Sequence, residues 1–524
     1  MVKKSTHPKG ERKIARKTRK SANELMKSDL IPVDTFGGKV QVRWDKNASL
    51  TSMGQLSFFI EYLKVSGLFD RWVKGCPINY SSGNAPEVRD VLGTILLSVL
   101  SGHKRYSHIT NIRCDTVNPP LLGMVKVVSE DAVRRALLKL EDNSCFNWLS
   151  ESLMYTYSPI LTEQWILDVD TTIKPLYGKQ EGAVIGYNPH KPGRPSHTYH
   201  SYMISNIRLM LDVDVHSGNE VASKHTAPGI WSLLGKLSRS SWPSFIRGDC
   251  GFGTDAIMTE SECIGLPYLF KLKRTNNVKK LVRYQMKKDD WVYAGQEWEG
   301  VESSLKLSGW QHKRRVIILR RPVKKEVAIA TKGKDKKNTK QLEFELGEIE
   351  SSLQVYEYAV LITSLSDEVH TIAQHYRDRA DCENNFDELK NQWGWGGFTT
   401  QDIKRCRTMA KIIALIYNWW SLFIRLIYPN KHTEAITSRP LMLQAVGKLV
   451  SHANQKIITV CSIHSKSAHI QKSLTAISSF FKRLSVGAEQ LADIQRWYLI
   501  LSRIFVKYLK GRVLKPPDLV LDSG

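Results

Sequence analysis

The chain has 524 residues of which 42% are hydrophobic, an ordinary content for a soluble globular protein and enough for two to four domains with a substantial core. Lysine and arginine outnumber aspartate and glutamate by 76 to 51, giving a formal net charge of +25 and a pI near 9.6. A field of that sign points to a polyanionic partner, nucleic acid foremost, with a membrane surface as the competing polyanion. Eight cysteines without C-x-x-C spacing argue against a zinc finger and predict reduced thiols, so any metal should be oxygen-bound.

The first twenty residues carry nine Lys/Arg against Glu11 alone. Such a leader should be disordered when free and suited to lie along phosphates, or simply act as a solubilising tail. No apolar stretch follows it, so no signal peptide is read and a cytoplasmic protein is expected, nucleoid-associated when on DNA. Residues 1–53 are taken as this basic segment.

Residues 54–155 read as a helical domain, with Leu56, Phe59, Ile60 and Leu63, then Val88, Leu92, Ile95 and Val99, at helix spacing. Ser129 is a predicted N-cap for a helix bearing Arg134, Arg135 and Lys139, which could enter a DNA groove or serve only as part of a bundle. From Trp165 the texture becomes mixed α/β, giving a first core part over 156–275. Strand-like runs separated by the lysine-rich loop Lys332–Lys340 predict a β-rich insertion over 276–364. Helical texture returns over 365–428 and continues through a C-terminal region at 429–524. Its most apolar run, Ile412 to Ile424, falls short of the roughly twenty residues a bilayer requires and predicts a buried helix.

Two strand-like runs end in acid. In WILDVDTT, Asp168 and Asp170 point to the same face, and Asp170, at the strand end, is the better-placed ligand. In SFIRGDCGF, Asp249 follows a short apolar strand, with Gly248 and Gly251 permitting close approach of a metal, backbone or phosphate. Buried carboxylates need a cation or metal, although strand-end aspartates also cap helices. Asp212 and Asp214 repeat the alternation and are expected to be the solvated face of an edge strand.

In HYRDRADCENNFDELK, from His375 to Lys390, the side chains Tyr376, Arg379 and Lys390 lie at minus seven, minus four and plus seven from Glu383. On one helix these offsets share a face within roughly 40°. A glutamate can hold a hard divalent cation while arginine, lysine and tyrosine hold phosphate oxygens. A solvated charged face is the alternative.

Asp170-Thr171-Thr172, Asp249-x-Gly251-Phe252 and Tyr376-x₂-Arg379-x₃-Glu383-x₆-Lys390 together resemble the signatures of DDE transposases of bacterial insertion sequences, in the subgroup with a Tyr-Arg-Glu-Lys motif. The stretch Gly178 to His200 looks similar to the region that commonly follows the first aspartate in them. The resemblance implies an α/β, ribonuclease-H-like catalytic core with a β-rich insertion, flanked by helical N- and C-terminal regions. The insertion would fill the 134 positions between Asp249 and Glu383. It further implies that Asp170, Asp249 and Glu383 are catalytic and bind two Mg²⁺ ions, with Mn²⁺ able to substitute. Such ions lie about 3.5 to 4 Å apart and serve an in-line phosphoryl transfer. Tyr376, Arg379 and Lys390 would grip the DNA end. Trp298, chosen over Trp291 and Trp310, would stack on an extruded base.

The expected protein is a transposase that binds transposon ends, cleaves them and joins 3′-hydroxyls to target DNA. Its partners would be double-stranded DNA and a second copy of itself, with the segment Leu491 to Leu509 supporting dimerisation, and neither a membrane nor a small-molecule substrate. A nuclease or resolvase without strand transfer, and a noncatalytic transposase-derived DNA-binding protein, are the rival readings.

Overall fold

The computed structural model describes residues 30–516 apart from 324–355 and short gaps at 46–47, 189–190, 221, 430, 454, 463–464 and 487–490. The basic leader before residue 30 and the loop Lys332–Lys340 lie outside the described residues.

Not all of the 1–53 segment is featureless. Strands β1 (Ile31–Thr35) and β2 (Gly38–Val42) form an exposed hairpin, and β3 (Leu50–Thr51) joins a sheet described below. Helices α1 (Leu56–Ser66), α2 (Leu68–Lys74), α3 (Val88–Leu100), α4 (Asn118–Leu121), α5 (Glu130–Leu138) and α6 (Asp142–Tyr157) follow. Ser129 caps α5 as its side chain predicts, accepting from the Ala132 N–H at 3.3 Å. Every residue of α3 from Asp90 onward is buried, so this helix is apolar all round rather than amphipathic.

The central sheet begins with β4 (Ile166–Pro175), β5 (Val184–Ile185), β6 (Pro195–Ile204) and β7 (Leu209–Ser217). After α7 (Ala222–Leu234) come β8 (Phe245–Gly248), α8 (Asp255–Cys263), β9 (Tyr268–Lys271) and α9 (Asn276–Gln285). The order β7-β6-β4-β8-β9, antiparallel on one side of β4 and parallel on the other, is that of a ribonuclease-H-like core. Strands β10 (Val292–Gly295), β11 (Trp298–Leu305), β12 (Arg314–Pro322) and β13 (Tyr356–Thr363) continue this sheet in antiparallel fashion from β9. The insertion therefore extends the core sheet, and it opens with a helix.

Helices α10 (Val369–Arg377) and α11 (Ala380–Asn391) lead to α12 (Ile403–Ile427). By length and composition α12 could cross a membrane, yet 83% of its apolar window is buried inside the protein, against β7 and the N-terminal helices. The C-terminal region departs from the all-helical expectation. Between α13 (Ala435–Met442) and α14 (Ser467–Val486) runs the hairpin β14 (Gly447–His452) and β15 (Gln455–Val460), with β3 as its third strand. The chain then forms α15 (Asp493–Ile504).

β7 is an edge strand, but the face carrying Asp212 is not solvated: Asp212 is buried and pairs with the buried Lys411 of α12. Asp214 pairs with His216 at 2.9 Å and Arg407 at 3.3 Å. These acids are accounted for by partners rather than by water.

Candidate active site

Register brings the first two acids together. β4 and β8 are parallel and pair through Val169 and Gly248, so Asp170 and Asp249 are the next residue on each strand. Neighbouring strands lie about 4.8 Å apart. Gly248 permits this approach, because a Cβ there would stand 2.7 Å from the Phe252 ring and 3.0 Å from Val169. Asp249 also accepts the Gly251 N–H at 2.8 Å, which fixes its side chain at the turn.

Asp168 occupies a different environment. Its two oxygens accept from Arg247 Nε at 2.6 Å and Nη2 at 2.7 Å, and neither side chain is exposed. Arg247 also donates to Ser205 and to the His375 carbonyl, tying β8 to the turn after β6 and to α10. An arginine inside the apolar run SFIRGD is itself a signal of a buried anionic partner.

The helix carrying the third acid is broken. Asp378 and Arg379 separate α10 from α11, and the N–H of Arg379 bonds back to Tyr376 at 3.2 Å in a tighter turn. The single-helix face drawn from Tyr376 to Lys390 is thus replaced by a tertiary arrangement. Its centre is Arg379, buried, which donates from Nη2 to Asp170 at 2.9 Å and from Nη1 to Glu383 at 2.5 Å. Glu383 is otherwise exposed.

Electrostatics report the same cluster. Burial raises the Asp170 carboxyl to about 6, Arg379 opposing this while Asp249 and Glu383 add to it. Burial would lower the Arg379 guanidinium, but Asp170, foremost among its anionic neighbours, leaves it raised overall. Tyr376 is raised by burial, with Arg379 opposing and Asp249 and Glu383 contributing. Burial lowers Lys390, which Asp170 counteracts. Asp170, Asp249, Glu383, Tyr376, Arg379 and Lys390 therefore gather in one place.

Three carboxylates are hard oxygen donors of the kind Mg²⁺ and Mn²⁺ prefer. Among the described residues no three acidic, histidine or cysteine side chains stand close enough to enclose an ion as they are. The Arg379 guanidinium lies between two of the acids.

Trp298, half-buried at the start of β11, has the Arg321 guanidinium 4.8 Å from its ring centre and packs on the apolar cluster that also receives Tyr376. Trp291 is covered by Arg320 at 4.1 Å, and Trp310 is buried in the core beneath Arg314.

The sheet order places the protein in the ribonuclease-H-like class of α/β folds, with Asp170 and Asp249 following adjacent strands and Glu383 on a later helix. A family model described as transposase DDE domain, group 1, matches residues 84–481, and the chain belongs to that family. Among solved structures it is similar to piggyBac transposase in a synaptic complex with hairpin DNA, at 11% identity over 94% of this chain and 89% of that one, with a TM-score of 0.37. No curated protein matches the chain.

Proposed function

We propose that the protein is a DNA transposase that binds the ends of its mobile element, cleaves them and joins the freed 3′-hydroxyls to target DNA. The observation that carries the reading is that Asp170 and Asp249 follow paired positions on adjacent strands and that Glu383 is joined to Asp170 through Arg379. In this reading the three carboxylates hold divalent ions, Mg²⁺ foremost, which when bound supply charge neutralisation at the scissile phosphate. Arg379, Tyr376 and Lys390 orient the DNA end, the guanidinium exchanging carboxylate oxygens for phosphate oxygens. Trp298 offers a flat ring beside this cluster for an unstacked base. Two ends must be paired for joining, so the working form is a homodimer on DNA.

The test incubates the purified protein with a labelled element end and Mg²⁺ beside Glu383→Gln. Cleaved and joined products with the original, and a loss of at least about a thousandfold in the variant at equal DNA binding, are expected. Cleavage without joining selects the nuclease reading. Equal binding with no cutting by either protein under Mg²⁺ or Mn²⁺ removes the enzyme.

A further inference from the structure

Behind the acids lies a second polar feature that the catalytic reading leaves unused. A cleft of about 360 Å³ opens where the start of β4, the turn after β6, the α10–α11 break and the C-terminal end of α12 meet. Arg208, Arg247, Arg425 and Lys431 line it, against the carboxylates of Asp378 and Asp381. Arg247 is already matched by Asp168 and Arg208 by Asp381, at 2.5 Å. Arg425 and Lys431 form no ion pair among the described residues.

Arg425 is the more telling of the two. One of its nitrogens reaches the Ile207 carbonyl at 2.8 Å, while its buried Nε has no hydrogen-bond partner. Burial lowers its pKa, Tyr417 opposing this and Arg208 adding to it, and the Phe505 ring lies 5.7 Å from the guanidinium. A guanidinium in that state costs free energy unless an anion meets it. The C-terminal end of α12 supplies only about half a negative charge, too little for both Arg425 and Lys431.

A second observation points the same way. Arg208 has φ of +49°, a left-handed conformation that glycine or asparagine would adopt with less strain. The left-handed position sets a long cation in the wall of the cleft, where it pairs with Asp381.

We propose that this cleft is a phosphate-binding site, distinct from the carboxylate centre and filled either by a backbone phosphate of bound DNA or by free inorganic phosphate. Arg425 and Lys431 are its primary ligands, with Arg208 turning toward the phosphate from Asp381. Because Asp378 and Asp381 flank Arg379, occupancy draws on the same helix break that holds the acids. The DNA source rests on the transposase reading, whereas the site itself does not.

The test uses the full chain in the Glu383→Gln background, so its readouts do not depend on cleavage. Melting is followed in inorganic phosphate against chloride at matched ionic strength, and affinity for a duplex end is followed against salt concentration. Lys431→Ala, at an exposed position, and Arg425→Gln are compared with the parent. A free-phosphate site raises the parent's Tm by roughly 2 °C and leaves both variants unmoved. A DNA-phosphate site makes the slope of log affinity on log salt shallower by about 1 in Lys431→Ala. If phosphate does not stabilise the parent and the salt slope of Lys431→Ala is unchanged, the proposal is overturned, whatever Arg425→Gln does to folding.

Discussion

The Asp168 carboxylate accepts two hydrogen bonds from Arg247, and removal of its charge leaves that guanidinium buried without an anion. Breaking a buried pair from one side costs about 3 to 5 kcal/mol. Asp168→Asn is therefore expected to lower the denaturation free energy by that amount, while Asp170→Asn, whose buried carboxylate faces Asp249 and Glu383 as well as Arg379 and whose loss leaves Arg379 still paired with Glu383, should cost less than Asp168→Asn and still abolish cleavage. Equal activity loss in an Asp168→Asn protein of unchanged stability would move the catalytic role onto both residues. His200 offers a second residue-scale test. It is buried with Nδ1 beside Thr226 Oγ1 at 2.8 Å and Nε2 beside Thr198 Oγ1 at 3.2 Å, and it faces His216, His225 and Asp214. Burial, then the neighbouring histidines, lower its pKa to about 3. The unfolded chain thus binds a proton between pH 6.5 and 3 that the folded chain refuses, so stability falls as pH drops through that window. From pH 6.5 to 5 the loss from this group is about 2 kcal/mol. Unfolding free energies over that range should be flatter by this amount in His200→Gln, and parallel curves for the two proteins would contradict it.

At the scale of elements, what could be read in the sequence depended on whether the cause was local. The runs ending in Asp170 and Asp249 were legible because apolar residues stopped at an acid, but their adjacency comes from parallel pairing between residues far apart in the chain. The α10–α11 break was hidden, since RDRAD contains neither proline nor glycine and Arg379 is tied instead to Asp170 and Glu383. The β14–β15 hairpin stands where helical texture is expected, and its signal is local: KIITV is rich in β-branched residues. The sequence also offers Asn454 as a turn residue beside Ala453, which takes φ of +48° without being glycine or asparagine itself. The turn between β10 and β11 likewise carries no Asn-Gly or Asp-Gly pair. Their two-residue turn, closed by Gly295 and Trp298, places Gln296 and Glu297 at φ of +52° and +63°. Both residues carry a Cβ penalty there, which Asn-Gly would relieve. Replacing the pair by Asn-Gly is expected to raise the unfolding free energy by roughly 1 kcal/mol, seen as a higher denaturant midpoint at unchanged m-value; a lower midpoint would show that these side chains make contacts worth more than the strain.

Across the whole molecule, the boundaries drawn from texture do not coincide with gaps in the core. One apolar cluster of buried side chains runs from Met53 to Leu509. Phe59 of α1 lies 5.3 Å from both Trp420 and Phe423 of α12, Tyr62 meets Phe481 of α14 and Trp497 of α15, and Trp72 of α2 packs edge-on against Trp419. The N-terminal helices thus bury their largest rings against residues more than three hundred positions away, and β3 pairs with β14 to close the same junction. Such long-range pairing leaves little trace in local periodicity, which is why 54–155 reads as a self-sufficient helical domain. Removed from α12, α14 and α15, that fragment would expose Phe59, Tyr62 and Trp72 together, and burying a large side chain contributes about 1.5 to 3 kcal/mol. A fragment spanning 54–155 is therefore expected to lack a cooperative denaturation transition and near-ultraviolet circular dichroism, whereas the full chain shows both. A sigmoidal unfolding curve for the isolated fragment, with dispersed methyl resonances, would mean instead that these helices hold their own core and only dock on the rest.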